Sequence, residues 1–574
     1  MCGIVGYVGK KVPVQKILSK LQGLEYRGYD SSGVAYFDGE IKLKKDVGTI
    51  GSISKEMLGI DSELVISHTR WATHGEVNKT NAHPHLSYGN NYVVVHNGII
   101  ENYKELKAQI GEDKFASTTD TEVICNLMET QSGRTFERFN QTISKLVGSY
   151  AILLFDKMGG TLYAAKNKSP LYAAKSPNGY LLASDVSCFE DWDYYVLEDG
   201  MVATITQNSI KFYIGKEQVF PQLQQGNNLC KQTAKGEYKF FMQKEIAETP
   251  QVFKNICKTY QKLAKNKQFL HIFGKNSKVL LCGCGSAYHA CALGARWIGT
   301  GRKLDARAAI ASEIKYFGKI TKKHVVILLS QSGETADTLA VLEKAKKAHA
   351  KTIVITNTMH STMARKADYV LPLCAGPEVA VASTKAYSAM LAVLYIISCK
   401  NAGFAIKNLS KYIKNAKNVS TNSQIIEQIA NAKRIFFIGR GDDAITASEG
   451  ALKLKETCYL DSYGYYAGEL KHGTIALVEP GTIIIAVITN NRIKDKTINA
   501  VEECLSRGAE AMVVSNQIIQ NKKIKQIQLL PNLPSQIYAI DAVIELQKLS
   551  CAVADKRNCN PDRPRNLAKS VTVE

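Results

Sequence analysis

The second half of the chain contains the same unit twice, an apolar strand that leads into a glycine turn and then a helix. Residues 278–282 (Lys-Val-Leu-Leu-Cys) precede Gly-Cys-Gly, and residues 434–438 (Arg-Ile-Phe-Phe-Ile) precede Gly-Arg-Gly. Further strand patterns at 325–329 and 483–488 are each followed by a helical pattern. Because apolar strands that alternate with helices pair in parallel with helices on both faces, the repeat predicts two similar α/β lobes.

The first 220 residues have a different pattern. Short strands, such as residues 92–95 and 151–155, accompany helical stretches at 102–110 and 121–129. Strands and helices that do not alternate regularly indicate an α+β domain. A polar stretch at 222–236 then indicates a linker, and a helix is expected to begin near Glu237.

At 574 residues the chain is too long for one hydrophobic core, so several domains are expected. No apolar run approaches the roughly 18 residues that a membrane-spanning helix needs. The first residues lack the basic region of a signal peptide, and the 14 cysteines include no CxxC pair. We therefore expect a cytoplasmic protein with reduced thiols, no membrane association and no metal site.

The net charge of +21 has two interpretations, anionic substrates or a lysine-rich solvated surface. No RNA-binding signature and no basic run interleaved with aromatic residues occurs in the sequence, so no nucleic-acid partner is expected.

Cys2 stands beside the initiator methionine, and removal of Met1 would leave a thiol and a free α-amine on one residue. An α-amine with a pKa of about 7.7 to 8.0 is a suitable base for its own nucleophile. Arg70 could bind a carboxylate, while the Asn97 side chain and the Gly98 N–H could face a tetrahedral oxyanion. The structural alternative is a hydrogen-bonded strand end in which Trp71 only fills the core.

Six segments of this half resemble class II glutamine amidotransferases, which have the N-terminal nucleophile (Ntn) hydrolase fold. The matching segments are 2–6, 24–31, 70–75, 81–85, 96–98 and 119–122. The resemblance implies that Cys2 is the nucleophile and that Asn97 and Gly98 form the oxyanion hole. The glutamine pocket that it implies comprises Arg70 for the carboxylate, Asp120 for the ammonium group, Trp71 as the gate for ammonia, and Thr73, His74 and His83.

A hydroxyl-rich loop, Ser330-Gln331-Ser332-Gly333-Glu334-Thr335, lies between a strand and a helix in the first lobe. Hydroxyls and N–H groups at the positive end of a helix suit a phosphate. The alternative is a capping box, in which Ser332 or Thr335 only caps the helix. Three hydroxyls exceed what a cap needs, and residues 489–492 of the second lobe lack the pattern, so the sequence favours one phosphate site, in the first lobe.

A dinucleotide site is the competing interpretation of the glycine turns. Residues 439–444 fit GxGxxA, and Asp305 follows Gly285 by about 20 residues. These two features belong to different lobes, so we rank nicotinamide binding below phosphosugar binding.

The second half resembles a tandem of sugar isomerase (SIS) domains. The resemblance implies a sugar-phosphate site made of Ser286, Ser330, Gln331, Ser332, Thr335 and Ser383, with Lys453 and Ala568 close to the sugar. Ala287 departs from the serine that is usual in the family, and Thr474 departs from the usual proline.

The two halves together resemble glutamine-dependent enzymes that aminate fructose 6-phosphate. The resemblance implies conversion of fructose 6-phosphate and glutamine to glucosamine 6-phosphate and glutamate, with ammonia channelled between two sites and no pyridoxal cofactor. It makes Glu456 the proton-transfer base, His472 the ring-opening residue and Lys569 the Schiff-base amine. In the family this histidine comes from the neighbouring subunit, so a homodimer is expected.

The expected fold is an α+β Ntn hydrolase domain followed by two parallel-sheet α/β SIS domains. The predicted boundaries are a glutaminase domain at 2–220, a linker and first helix at 221–250, SIS domains at 251–405 and 425–560, and a catalytic tail at 561–574. Two other functions remain open, a glutaminase that feeds a different phosphosugar and a regulator that senses sugar phosphate without catalysis.

Overall fold

A computed structural model describes residues 2–226, 235–266, 272–274, 277–415 and 422–572. The chain forms two compact units, Met1–Thr233 with Ala568–Glu574, and Ala234–Leu567. Within the described ranges, no helix combines the length and the apolar character that crossing a membrane requires. Of the linker predicted at 222–236, residues 227–234 lie outside the described part of the chain.

The described part of the first unit contains two antiparallel sheets and five α-helices. Its strands are β1 (Gly3–Pro13), β2 (Ser31–Asp38), β3 (Glu40–Val47), β4 (Asp61–Arg70), β5 (His85–Leu86), β6 (Tyr92–Ile100), β7 (Gly148–Asp156), β8 (Thr161–Asn167), β9 (Tyr172–Ser176), β10 (Gly179–Ala183), β11 (Tyr194–Val196), β12 (Met201–Ile205), β13 (Ile210–Ile214), β14 (Glu217–Val219) and β15 (Leu223–Gln224). Its helices are α1 (Val14–Gln22), α2 (Gly51–Glu56), α3 (Tyr103–Ile110), α4 (Glu122–Thr130) and α5 (Thr135–Lys145).

These elements form four layers, helix, sheet, sheet and helix. The sheet orders are β15-β11-β9-β10-β1-β4-β2-β3 and β14-β13-β12-β8-β7-β6-β5. Ile4 of β1 and Val95 of β6 belong to the core between the sheets, whereas Val5 packs with Leu18 of α1 on the outer face. Successive residues of one strand thus enter different cores, because side chains alternate across a sheet. The expected α+β domain is confirmed.

The second unit contains two parallel sheets and eleven helices among its described residues. Its strands are β16 (Lys278–Gly283), β17 (Asp305–Ile310), β18 (His324–Leu329), β19 (Lys351–Thr356), β20 (Tyr369–Pro372), β21 (Arg434–Gly439), β22 (Ser462–Tyr466), β23 (Thr482–Ile488), β24 (Glu510–Ser515) and β25 (Ile524–Gln528). Its helices are α6 (Phe241–Leu263), α7 (Ser286–Arg302), α8 (Ala311–Phe317), α9 (Ala336–Lys347), α10 (Thr362–Lys366), α11 (Lys385–Ser398), α12 (Ala402–Asn415), α13 (Ser423–Ala430), α14 (Asp442–Cys458), α15 (Lys494–Leu505) and α16 (Ser535–Lys556).

The two parallel sheets have the same strand order, which confirms the expected pair of α/β lobes. The orders are β17-β16-β18-β19-β20 and β22-β21-β23-β24-β25, so each lobe follows the pattern 2-1-3-4-5. In such a sheet the chain leaves the first and third strands in opposite directions, which opens a crevice at their carboxyl ends. Loops that follow β16 and β18, or β21 and β23, therefore meet at one edge of their lobe.

Helix α6 begins at Phe241, later than the start expected near Glu237, and Asp562 explains where it begins. The Asp562 carboxylate accepts hydrogen bonds from the N–H groups of Phe241 (2.8 Å) and Met242 (2.7 Å). Its carbonyl accepts from the Val381 N–H at 3.1 Å. Residues 561–567 are thus tied into the second unit, whereas Ala568–Glu574 group with the first.

Helix α12 (Ala402–Asn415) contains residue 405, the predicted end of the first SIS domain. Its apolar side chains join the large core of the first lobe. The predicted domain boundaries remain predictions.

We expect Asp562→Ala to lower the free energy of unfolding by about 1 to 3 kcal/mol, because two N–H groups at the start of α6 lose a charged acceptor. Urea unfolding would measure the change. Asp555→Ala is the matched control, since it removes an exposed ion pair with Lys239, worth less than about 1 kcal/mol. An equal loss in both variants would show that the carboxylate does not stabilise α6.

Candidate functional site

Cys2 directly precedes β1, at the end of the core between the two sheets of the first unit. Its thiol is partly buried, and the Trp71 N–H donates to Sγ at 3.3 Å while Sγ lies 3.6 Å from the Trp71 carbonyl oxygen. Burial raises the pKa of the Cys2 thiol. A thiol that is protonated at neutral pH needs a base before it can attack a carbonyl carbon.

Asn97 and Gly98 lie on β6, in the sheet opposite Cys2. The Asn97 Nδ2 donates to the Cys2 carbonyl oxygen at 3.0 Å, so the predicted oxyanion amide lies beside the predicted nucleophile. Gly98 has a φ of +140°, and a Cβ at this position would come within 1.9 Å of the Ser149 carbonyl oxygen. Only glycine fits there, which leaves the backbone next to Asn97 uncovered by a side chain.

Arg70 ends β4 and holds the loop that follows it. Its guanidinium donates to the carbonyl oxygens of His74, Gly75 (3.1 Å) and Glu76 (3.3 Å), which folds the loop back over the strand end. Thr73 of this loop is exposed. The ring of His74 packs edge to face on a neighbouring tyrosine of α3, with centroids 5.4 Å apart.

The remaining predicted glutamine-pocket residues also belong to this end of the unit. Asp120 is buried just before α4, and its carboxylate accepts from the Ile100 N–H, at the end of β6, at 2.8 Å. His83 is buried and stacks on His68, with ring centroids 4.1 Å apart.

His68 is a site residue that sequence reasoning missed. Its Nε2 lies 3.0 Å from the His96 carbonyl oxygen and 3.1 Å from Asn97 Oδ1, so it contacts the predicted oxyanion residue directly. The available signal was the polar run Ser67-His68-Thr69-Arg70 at the buried end of β4, because four consecutive buried polar residues require partners.

The hydroxyl-rich loop of the first lobe runs from the end of β18 to the start of α9. Ser330 Oγ lies 2.9 Å from Thr335 Oγ1 and accepts from the Gly333 N–H at 3.0 Å. Ser332 Oγ accepts from the Glu334 N–H. Thr335 occupies the N-cap of α9, yet within the described part of the chain its side chain makes no capping hydrogen bond to this helix. The capping-box interpretation is therefore wrong, and the N–H groups at the start of α9 are directed at the crevice.

Ser286 enters the same crevice from α7, which follows β16. Its Oγ accepts from Lys453 Nζ at 3.0 Å, and Lys453 also contacts Glu456 (2.6 Å) and Glu449 (3.4 Å). Burial disfavours the ammonium form of Lys453, but the two carboxylates outweigh it and raise its pKa. Burial likewise opposes ionisation of Glu449, yet Lys453 and then His289, at 2.7 Å, lower its pKa.

Ser383 lies in the segment before α11, which a buried carboxylate organises. Glu378 accepts from the N–H groups of Thr384 (3.0 Å) and Ala386 (2.9 Å), and from Ser383 Oγ at 3.4 Å. His472 is exposed at the end of the 3-10 helix Glu469–His472. Ala568 and Lys569 belong to the first compact unit.

In the second lobe, a buried carboxylate contacts the loop that corresponds to the hydroxyl-rich loop of the first lobe. Asp443 follows β21, is 3% exposed, and accepts from the N–H (2.9 Å) and Oγ1 (2.5 Å) of Thr489, which follows β23. Burial raises the pKa of Asp443 to about 6. This internal acid bonds to the loop after β23 at the crevice of the second lobe, and the single phosphate site remains a prediction.

The dinucleotide alternative also fails on geometry. Asp305 is the first residue of β17, so it lies at the amino edge of the sheet, whereas a ribose-binding acid must stand at the carboxyl edge beside the glycine turn.

Comparisons with known proteins agree with both halves. A glutamine amidotransferase domain model matches residues 68–191, and the SIS domain model matches 271–398 and 428–524. Glutamine–fructose-6-phosphate aminotransferase (isomerizing) of Bacillus licheniformis is 39% identical over 602 aligned residues, and that of Caldanaerobacter subterraneus is 37% identical over 614, each across 100% of both chains. The C-terminal domain of glucosamine-fructose-6-phosphate aminotransferase from Francisella tularensis superposes with a TM-score of 0.52 at 30% identity, over 58% of this chain and 100% of that one.

The first unit and its Cys2 site, followed by two sugar isomerase lobes, define a glutamine amidotransferase that carries a phosphosugar half. The similarity to the two bacterial aminotransferases extends over the full length of both chains and identifies the family within this class. The chain belongs to the glutamine–fructose-6-phosphate aminotransferase (isomerizing) family.

We expect the contribution of Asp443 to the free energy of unfolding to fall as the pH rises from about 4 to about 6, because folded Asp443 holds a proton that the unfolded chain, with a pKa near 3.9, has released. The contribution is complete below about pH 4 and lost above about pH 6. Asp443→Asn should remove roughly 2 to 3 kcal/mol of this pH dependence, measured by urea unfolding of both proteins across this range. Identical pH profiles would contradict the assignment.

Proposed function

We propose that this chain converts fructose 6-phosphate and glutamine to glucosamine 6-phosphate and glutamate. The observation that carries the proposal is the pairing, in one chain, of Cys2 beside Asn97 with an uncapped, hydroxyl-rich helix start at the crevice of the first lobe. The first feature suits hydrolysis of a carboxamide, and the second suits a sugar phosphate.

The glutaminase step begins when Cys2 Sγ attacks the carboxamide carbon of glutamine and the α-amine of Cys2, freed by removal of Met1, takes the thiol proton. Asn97 Nδ2 and the Gly98 N–H donate to the oxyanion that forms. Collapse of this intermediate expels ammonia and leaves a glutamyl thioester, which water hydrolyses to glutamate.

Glutamine itself is bound by the loop around Arg70 and by Asp120. We assign the α-carboxylate to Arg70 and the α-ammonium to Asp120, with Thr73, His74 and His83 lining the pocket. The backbone N–H and the carbonyl oxygen of Trp71 both contact Cys2 Sγ. We assign Trp71 as the gate through which ammonia leaves towards the sugar.

The sugar half holds the phosphate with Ser286, Ser330, Gln331, Ser332 and Thr335, while Ser383 completes the site. Ala287 adds no hydroxyl. Lys453 Nζ lies 2.6 Å from the Glu456 carboxylate, and Glu456 is the base that we propose for proton transfer.

Amination proceeds through Lys569 and Glu456. The Lys569 amine condenses with the C2 ketone of the open-chain sugar and releases water, and ammonia then displaces the amine to give the sugar imine. Glu456 takes a proton from C1 and returns it to C2, while the C1 hydroxyl loses its proton and the imine nitrogen gains one, which leaves an aldehyde at C1 and an amine at C2. No step requires pyridoxal phosphate or a metal ion, and Ala568 lies next to the reacting lysine in sequence.

We also propose that the protein is a homodimer in which His472 of the partner subunit opens the sugar ring. The second lobe presents His472 together with the exposed side chains of Tyr466 (54%) and Leu477 (48%). Apolar side chains around an exposed catalytic group are what a subunit interface would cover. No disulfide joins any of the described cysteines, which supports a cytoplasmic location.

The proposed function predicts an amino sugar of the mass of glucosamine 6-phosphate when the protein is incubated with glutamine and fructose 6-phosphate. A variant with an uncleavable residue ahead of Cys2 should lose glutamine hydrolysis as completely as Cys2→Ala, because the α-amine base is then blocked. Glutamate release would be followed by coupled assay.

Isomerisation of fructose 6-phosphate is the control, and both variants should retain it. Full glutaminase activity in the blocked protein would disprove the N-terminal base, and a different amino sugar would disprove the acceptor.

A second prediction concerns Lys569, since an amine that stays protonated cannot attack a carbonyl. Borohydride should covalently label Lys569 in the presence of fructose 6-phosphate, as peptide mass spectrometry would show. Lys569→Arg should abolish both the label and amino-sugar synthesis while glutamine hydrolysis persists. Undiminished synthesis by Lys569→Arg would exclude the Schiff base.

A further inference from the structure

His68 lies at the centre of the first unit, on β4, where it is opposite Ile4 of β1 and Gly33 of β2. Its side chain is completely buried. The Nε2 atom has two neighbours within hydrogen-bond distance, the His96 carbonyl oxygen at 3.0 Å and Asn97 Oδ1 at 3.1 Å. The glutaminase steps described above give this imidazole no role.

The His96 carbonyl determines which ring nitrogen carries the hydrogen. A carbonyl oxygen can only accept a hydrogen bond, so Nε2 must be protonated and must donate. Burial lowers the pKa of His68 to about 3, and the ring is therefore neutral near pH 7, with Nδ1 unprotonated. Among the described residues Nδ1 has no hydrogen-bond partner, which agrees with this tautomer.

The tautomer in turn determines which way the Asn97 amide points. A donating Nε2–H attracts the amide oxygen and repels the amide NH₂ group. Oδ1 therefore faces His68, and Nδ2 faces Cys2, where it donates to the carbonyl oxygen at 3.0 Å. A flipped amide would direct an oxygen lone pair at Cys2 and at any oxyanion formed beside it.

The ring itself has little freedom to turn. His83 stacks on it with centroids 4.1 Å apart and an interplanar angle of 30°. The segment with His83 approaches β2 so closely that a Cβ at Gly33 would stand 2.2 Å from the His83 carbonyl oxygen. Glycine at position 33 therefore permits the stacking that holds the donor in place.

We propose that His68 is a positioning residue for glutamine hydrolysis, which fixes the Asn97 amide so that Nδ2 faces the developing oxyanion. The inference rests on the proposed function, because it concerns the same oxyanion hole. His68 touches neither Cys2 nor the substrate carbonyl, and its effect passes through Asn97. Loss of an oxyanion donor costs about 10²- to 10³-fold in kcat, so a disordered amide should cost about 10- to 100-fold.

The test is a double-mutant cycle on glutamine hydrolysis with His68→Phe, Asn97→Ala and the pair. Phenylalanine keeps a planar ring for stacking on His83 but has no donor. Each single variant should lower kcat with little change in the KM for glutamine. In the Asn97→Ala background, His68→Phe should have no further effect, because the group that it positions is gone. Multiplicative losses in the pair would overturn the proposal.

Two measurements separate positioning from damage to the fold. Alkylation of Cys2 by iodoacetamide forms no oxyanion, so its rate, followed on the N-terminal peptide, should match the wild type. His85→Gln is the matched control, since this neighbouring buried imidazole bonds to Thr119 Oγ1 at 3.2 Å rather than to Asn97, and it should hydrolyse glutamine normally. Slow alkylation in His68→Phe would count against positioning.

The same cycle with His68→Ala keeps the test decisive if the phenylalanine variant does not fold. Failure of the proposed function would give a different result from failure of this proposal, since the wild-type protein would then release no glutamate from glutamine.

Discussion

The pairing of β1 between β4 and β10 is the constraint on which the first unit depends. Gly3 is in register with Thr69, and Val5 is in register with both Ser67 and Ala183. A chain terminus ordinarily frays, but here the strand that follows Cys2 lies inside an eight-stranded sheet. Because both sides of β1 are hydrogen-bonded, the second residue of the chain has a fixed position, which a nucleophile requires.

The same strand arrangement also explains why polar groups gather at Cys2. Along β1 and β6 the residues that face the other sheet are apolar, with Ile4 and Val95 in one core. One step beyond, the facing residues are Cys2 and Asn97, which are joined by a hydrogen bond. The site is therefore the edge of a hydrophobic layer, where exclusion of water strengthens each polar contact.

The two lobes of the second unit have sheets with the same strand order but differ in the loops at the carboxyl ends of their strands. Both have the 2-1-3-4-5 order and hence a crevice at the same edge. In the first lobe, Ser330 and Thr335 leave the N-terminus of α9 without a side-chain cap. In the second, Asp443 fills the crevice with an acid of the chain itself. A negative group already present there disfavours an incoming phosphate, which supports the proposal of a phosphate site in the first lobe.

Patterns that depend on local periodicity were predictable from the sequence. Both lobes, the α+β first domain and the helices predicted at 102–110 and 121–129 all appear in the structure, the last two as Tyr103–Ile110 and Glu122–Thr130. Helix α6 begins later than the start predicted near Glu237. Its capping acid, Asp562, is 321 residues from Phe241 in the sequence, and a prediction from local sequence cannot identify so distant a partner.

Side-chain partners were less predictable than elements. The cap on α9 was ambiguous because a hydroxyl at an N-cap can bind its own helix or another hydroxyl, and Thr335 does the latter. His68 was missed because the polar run Ser67-His68-Thr69-Arg70 indicates buried polar partners but does not identify which side chain each residue contacts. Its importance follows only from its distance to Asn97, which belongs to the opposite sheet.

Asp562 also has a consequence for how the protein is made. It supplies the acceptors for the first turn of α6 and for Val381, two residues before Ser383. Because a ribosome makes the chain from the N-terminal side, the first unit and Cys2 emerge well before the segment around Asp562. The first unit can therefore fold early during synthesis, but α6 lacks its acceptor until Asp562 has been made. A chain that terminates ahead of Asp562 would keep the residues around Cys2 and lack the hydrogen bonds that Asp562 gives to α6 and to Val381.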